Sequence, residues 1–130
     1  MVQDVLSDSF IRIKNGYSLG FDHVIILHSR KIMFVLDLLY LEGFIRGYIL
    51  EKENKIKVLL KYALDGKAVL QKIKIFSKPG HKIYVKAKSL WLLDIAKGPG
   101  RFFLTTSKGY MSLEKALQQN LGGELVCYVL

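Results

Sequence analysis

Apolar residues along the first third of the chain recur at helical spacing. In "DVLSDSFIRIKN" they fall at Val5, Leu6, Phe10 and Ile13, which predicts a first helix over 4–15 with Asp4 as its cap and Gly16 as its stop. "HVIILHS" is a short run rich in β-branched residues and predicts a strand. From Ser29, a fitting N-cap, Ile32, Leu36, Leu39 and Tyr40 continue at helical intervals to Gly43 and predict a second helix. In "FIRGYILEKENKIKVLLKY" the period shortens towards alternation, predicting two strands that meet at a turn around Glu53 and Asn54. An α-β-α-β-β lobe therefore ends near Tyr62.

"ALDGKA" has the composition of a connector, which divides the chain into an N-terminal α/β lobe over 1–64 and a C-terminal lobe over 65–130. In the second lobe "VLQKIKIFS", "KIYVKA" and "RFFLTTS" are strand-like and separated by "KPGH" and "AKGPG". One helix is expected after Ser112, with Glu114 in its first turn and its end near Gly122, followed by a terminal strand "ELVCYVL". The expectation is an α+β fold: an N-terminal α-β-α-β-β lobe packed against a mainly β C-terminal lobe with one helix. The most apolar stretch, "IMFVLDLLYL", is ten residues long and interrupted by Asp37, far short of a membrane span. With no secretory signal in "MVQDVLSDSF", the expectation is a soluble protein with no membrane partner.

Charge changes the picture. The formal net charge is +9, and between Lys52 and Lys108 fall 14 of the 20 basic residues but only 3 of the 11 acidic ones, Glu53, Asp65 and Asp94. Tyr62, Phe76, Tyr84, Trp91, Phe102 and Phe103 are interleaved in the same span. A field of this sign attracts polyanions, chiefly nucleic acid or an acidic membrane face, and lysines that meet phosphates beside rings that stack on bases are the interleaving expected of a nucleic-acid surface. Catalytic chemistry is thin by comparison. No glycine pattern cradles a nucleotide, His23, His28 and His81 are scattered, and the basic half holds no paired carboxylates for acid–base work. The lone Cys127 lies in an apolar terminal strand, where a buried hydrophobe is the ordinary role. No cofactor or metal is expected.

Four motifs then point one way. "LTTSKGYMS", "LGGELVCYVL" after the following helix, "SKPGHKIYV" upstream and "DSFIRIKNG" near the start occur in order. Together, from about Gln3 to Leu130, they resemble ribosomal protein S-eight of the bacterial-type small subunit. The resemblance implies a non-enzymatic protein that binds the central domain of small-subunit ribosomal RNA and helps it fold. It implies neighbouring small-subunit ribosomal proteins as further partners, and no homo-oligomer.

By the same resemblance the family's Ser-Thr-Ser-Lys-Gly row maps onto Thr105, Thr106, Ser107, Lys108 and Gly109, with Thr105 departing from the usual serine. Hydroxyls both donate and accept, so such a row suits ribose, phosphate and base edges, or else it merely shapes a turn. Ser77, Lys78, Pro79 and Gly80 match the family's Ser-(Arg/Lys)-Pro-Gly turn, Tyr84 its aromatic, and Glu124 its glutamate after the paired glycines. In the first lobe Arg12, Lys14 and Asn15 fit Arg-x-(Arg/Lys)-Asn-Gly, while Ser29, Arg30 and Lys31 occupy the place of Ser-Ser-Lys with His28 replacing the first serine. All seventeen positions are expected RNA contacts. The richness in Ile, Leu, Phe, Tyr and Lys suggests an AT-biased genome and a mitochondrial ribosome, with a bacterial cytoplasm or a plastid as alternatives. Rival functions are a free regulator that binds a messenger and a small RNA-processing enzyme using Cys127 or a histidine.

The charge concentration generates a measurable expectation. If about 4 to 6 phosphates are neutralised, log affinity for a structured RNA falls linearly with log salt at a slope near 0.9 per phosphate. An affinity flat across a tenfold salt titration contradicts it.

Overall fold

A computed structural model describes residues 5–76, 78 and 80–130. It is an α+β protein that divides into two compact units, Met1–Gln71 and Lys72–Leu130.

The first unit runs α1 (Val5–Leu19), β1 (His23–Leu27), α2 (Arg30–Leu41), β2 (Ile45–Glu51) and β3 (Lys55–Leu60), the predicted order. Its sheet is antiparallel with order β1-β3-β2. Along α1, Leu6, Phe10, Ile13 and Tyr17 form one buried stripe, and along α2 Ile32, Val35, Leu36 and Leu39 form another. The alternate residues Ile56, Val58 and Leu60 of β3 complete this core. Ser29 caps α2 as expected, its hydroxyl accepting from the Ile32 N–H at 3.2 Å. The β2–β3 turn places Glu53 and Asn54 at positive φ, 63° and 58°. "ALDGKA" is a closed surface turn, with Tyr62 bridged to Ala68 and the Ala63 N–H donating to the Lys67 carbonyl at 2.8 Å.

The Tyr17 hydroxyl ties this unit together. It donates to the Phe44 carbonyl at 2.5 Å and accepts from the Lys61 N–H at 3.1 Å, joining α1 to the start of β2 and the end of β3. Burial, more than any neighbouring charge, pushes its pKa up, so the phenol stays a donor across the physiological range.

Gly16 does not stop α1, which continues to Leu19 and ends before Gly20 at φ +75°. Its role is steric. A Cβ at Gly16 would stand 2.3 Å from Val24 Cγ1 and 3.1 Å from Leu60 Cδ1, so the missing side chain lets α1 approach the sheet closely. The proposed cap Asp4 lies outside the described residues.

The second unit contains β4 (Ile73–Ile75), β5 (Tyr84–Val85), α3 (Leu90–Ala96), β6 (Arg101–Thr106), β7 (Gly109–Ser112), α4 (Leu113–Gln119) and β8 (Gly123–Val129). Its antiparallel sheet has the order β4-β8-β6-β7, with β5 also paired to β8. Leu90, Phe102, Leu104, Met111, Leu113, Ala116 and Leu125 make the core. Ser112 caps α4 through its hydroxyl and the Lys115 N–H, and Asn120 ends it in the left-handed region.

One expectation is corrected here. Among the described residues the unit holds two α-helices where one was expected, because α3 is seven residues long, too short to show a period, and buries only Leu90. The stretch "LTTSKGYMS" is a β6–β7 hairpin, with Gly109–Ser112 as its second strand.

The tight approach at Gly16 carries a prediction. Gly16→Ala improves helix propensity yet forces Val24 aside, and the overpacking outweighs the gain, for a net loss of about 1 kcal/mol or more. A lowered urea midpoint with unchanged m-value is expected, and a raised midpoint contradicts the steric account.

Candidate nucleic-acid interface

The β6–β7 hairpin pairs Thr105 with Tyr110 and Thr106 with Gly109, leaving Ser107 and Lys108 as the turn. Gly109 has φ +107°, a value that side-chain-bearing residues rarely adopt. The row of hydroxyls does not act as a set. Thr106 Oγ1 donates to the Gly109 carbonyl at 3.0 Å and accepts from the Lys108 N–H at 3.2 Å, so this hydroxyl shapes the turn. Ser107 and Lys108 are exposed at its tip.

Register gathers the rest. Thr105 on β6 lies opposite Tyr110 on β7 and Glu124 on β8, and Glu124 in turn lies opposite Tyr84 on β5. Residues paired across a sheet share a face. Tyr84, Glu124, Thr105 and Tyr110 thus form one transverse row over four strands, and Tyr84 keeps 69% of its surface exposed. Burial first, then the Glu124 charge, pushes the Tyr110 phenol pKa up, against a hydrogen bond with the Thr105 side chain. The next row is Gly123 beside Thr106, where a Cβ would fall 2.4 Å from the Thr105 carbonyl oxygen. Tyr110 was absent from the residues singled out in the sequence, although a two-residue turn at Ser107 and Lys108 pairs position 105 with 110.

The turn at Lys78 and Gly80 is anchored to the same strand. Phe76 N–H donates to the Val126 carbonyl and Leu125 N–H to the Ile83 carbonyl, so the intervening segment leaves and returns at adjacent β8 residues. Lys78 and His81 bridge through two backbone hydrogen bonds of 2.9 Å, with Gly80 at φ +78° between them. Ser77 and Pro79 lie outside the described residues.

Charge is divided unequally. The sequence of the second unit, from Lys72, holds ten basic and three acidic residues, against ten and eight before it. Lys97 is bound to Glu114 at 2.8 Å and to Asp94 at 3.0 Å, and Arg101 stands 3.9 Å from Glu114. Burial alone would push the Glu114 pKa up, but the Lys97 hydrogen bond and the two cations outweigh it and hold the carboxyl low. Those two acids are thus paired with cations of their own unit. Lys72, Lys74, Lys78, Lys82, Lys86, Lys88, Lys108 and Lys115 remain exposed.

In the first unit Arg12, Lys14 and Asn15 are exposed on α1, and Arg12 Nη1 reaches the Ile25 carbonyl at 3.4 Å. Arg30 and Lys31 are exposed at the start of α2, while the Ser29 hydroxyl is engaged as its cap. Cys127 is fully buried opposite Phe103 and Ile75, and burial pushes its thiol pKa up, away from thiolate chemistry.

The hairpin gives a stability prediction. Thr106→Val removes both turn hydrogen bonds and lowers stability by about 1 kcal/mol, whereas Ser107→Ala stays within about 0.5 kcal/mol. Thermal unfolding of the two variants decides, and identical melts contradict the assignment of Thr106 to the turn.

The chain matches the family model Ribosomal protein S8 over residues 4–130. It is 39% identical to the small ribosomal subunit protein uS8 of Bartonella tribocorum over 132 aligned positions, covering 98% of each chain. Proteins of the same name from Mycoplasmopsis agalactiae and Thermodesulfovibrio yellowstonii are 35% and 34% identical, over 98% and 99% of each chain.

Proposed function

The chain belongs to the ribosomal protein S8 family, and from that premise we propose that it binds the central domain of small-subunit ribosomal RNA directly and supports its folding during assembly. It acts as a structural constituent of the small subunit and not as an enzyme. The observation that carries this reading is the transverse row Tyr84–Glu124–Thr105–Tyr110, flanked by the exposed tip Ser107–Lys108, in the unit with the large cationic excess.

In this reading each group has its own work. Tyr84 offers a ring on which a base stacks. Ser107 and Thr105 match ribose or base-edge groups, and Glu124 accepts from a base amine or orders Tyr110. Lys108, with Lys78 in the turn of Ser77, Pro79 and Gly80, neutralises phosphates. Thr106 and Gly109 hold the tip in shape. Arg12, Lys14, Asn15, Arg30 and Lys31, with Ser29 fixing the start of α2, form a second and weaker RNA contact, and neighbouring ribosomal proteins meet the rest of the first unit.

The richness in Ile, Leu, Phe, Tyr and Lys supports a mitochondrial ribosome, whereas the bacterial sources of the relatives support a bacterial cytoplasm; fractionation of the source cells separates the two. Sedimentation away from the small subunit would favour a free messenger-binding regulator instead.

Ser107→Ala is expected to weaken binding to a central-domain RNA fragment by about 1 kcal/mol or more, since its RNA partner is left unpaired. Lys108→Ala should weaken binding to all RNAs and reduce the salt slope by about one. Unchanged affinity and slope in both variants, measured on proteins with wild-type melts, overturn the reading.

A further inference from the structure

β1 is an edge strand: among the described residues it pairs with β3 alone. The Leu60 N–H donates to the Asp22 carbonyl and the His28 N–H to the Asn54 carbonyl, which fixes the even-numbered residues as the hydrogen-bonded pairs with β3. In an antiparallel ladder the alternate residues then turn their backbone groups outward. The N–H and C=O groups of His23, Ile25 and Leu27 therefore line the outer edge. One of them is covered: Arg12 Nη1 from α1 donates to the Ile25 carbonyl, at a long 3.4 Å.

That edge is one wall of a cleft of about 400 Å³ lined by Arg12, Asn15, Gly16, Phe21, His23, Val24 and Ile25. Phe21 is half exposed, and Gly16 brings the α1 backbone close against β1 at Val24. The cleft lining contains a guanidinium and no carboxylate. A helix beside an unpaired strand, with apolar walls and a cation, suits the addition of a peptide strand more than the entry of a base. Backbone donors and acceptors at strand spacing match another backbone, and alternate side chains supply specificity.

We propose that the cleft receives an extended segment of a neighbouring small-subunit protein, added to the outer edge of β1 as a fourth strand. The segment carries apolar residues at the alternate positions that enter beside Gly16 and Phe21, and an acidic residue that meets Arg12. Its N–H takes over the Ile25 carbonyl and releases Arg12 Nη1. With five donors, the guanidinium serves both that carboxylate and the RNA contact proposed for it. The proposal rests on the reading of the chain as a small-subunit protein.

The test is amide hydrogen exchange at His23 and Ile25 in the full chain, measured free, bound to a central-domain RNA fragment, and in assembled small subunits. Exchange is expected to be fast in the first two states and slowed by about tenfold or more in the subunit alone. Fast exchange in the subunit overturns the proposal, and slowing by RNA alone overturns it in favour of a nucleotide occupant. Ile25→Pro removes an outward N–H without touching the β3 ladder. It is expected to keep the melt and the RNA affinity but to lower occupancy in subunits several-fold, and full occupancy counts against a strand. A wild-type chain that neither binds the RNA nor enters subunits removes the underlying reading and the proposal with it.

Discussion

The register of β8 against its neighbours determines what the second unit presents to a partner. β8 is hydrogen-bonded to β4, β5 and β6, and its pairing with β6 contains a shift. Phe103 pairs with Cys127 but Leu104 pairs with Leu125, leaving Val126 as the extra residue. Such a bulge changes which residues share a face beyond it. With it, Leu104 and Leu125 both enter the core, while Thr105 lies beside Glu124. Without it Thr105 would oppose Leu125, Thr106 would oppose Glu124, and the polar row from Tyr84 to Tyr110 would not exist. One unpaired residue therefore separates a continuous apolar core from a continuous polar row on the opposite face of the same strands.

How much of this the sequence disclosed follows from the range of the interactions involved. α2 was legible at both ends because its signals are local: Ser29 caps through the Ile32 N–H, and Gly43 follows at φ +81°. The turn at Glu53 and Asn54 was legible for the same reason. Gly16 was misjudged as a stop because its absent Cβ serves a contact with Val24, a residue eight positions away on another element. α3 was missed since Trp91, Leu92 and Ile95 are exposed and no apolar stripe marks it. The family motifs identified Thr105, Tyr84 and Glu124 as separate points. Only the strand pairing joins them into a row and adds Tyr110, and only the side-chain hydrogen bonds divide the hydroxyls between turn and tip.

Electrostatics complements this geometry without duplicating it. The Lys97–Glu114–Arg101 cluster, with Asp94, pairs two of the three acidic residues of the second unit with cations of the same unit, between α3, α4 and β6. Glu124 is the remaining acid, and it sits in the polar row beside Thr105 and Tyr84. It is the acid of this unit that has no cation paired with it among the ion pairs given above, so a polyanion approaching the exposed lysines meets an uncompensated carboxylate there. A carboxylate in a cationic surface is unfavourable for phosphate binding and useful where a donor such as an exocyclic amine must be distinguished, so its place argues for base or ribose readout at the row and backbone neutralisation around it.

The same division explains why the turn invests a hydroxyl in itself. A flexible tip would have to be ordered on binding, at about 0.5–1.5 kcal/mol for each immobilised side chain. Thr106 removes part of that cost beforehand, because its hydroxyl closes onto both Lys108 N–H and Gly109 C=O and holds the backbone that carries Ser107. In the proposed RNA complex, loss of Thr106 would therefore act on affinity through a loosened tip, and loss of Ser107 through a missing contact. The two effects differ in kind: the first is accompanied by a lower melting temperature, and the second is not. Sequence adjacency of the hydroxyls thus reflects a scaffold and the group it displays, with only one of the pair turned outward.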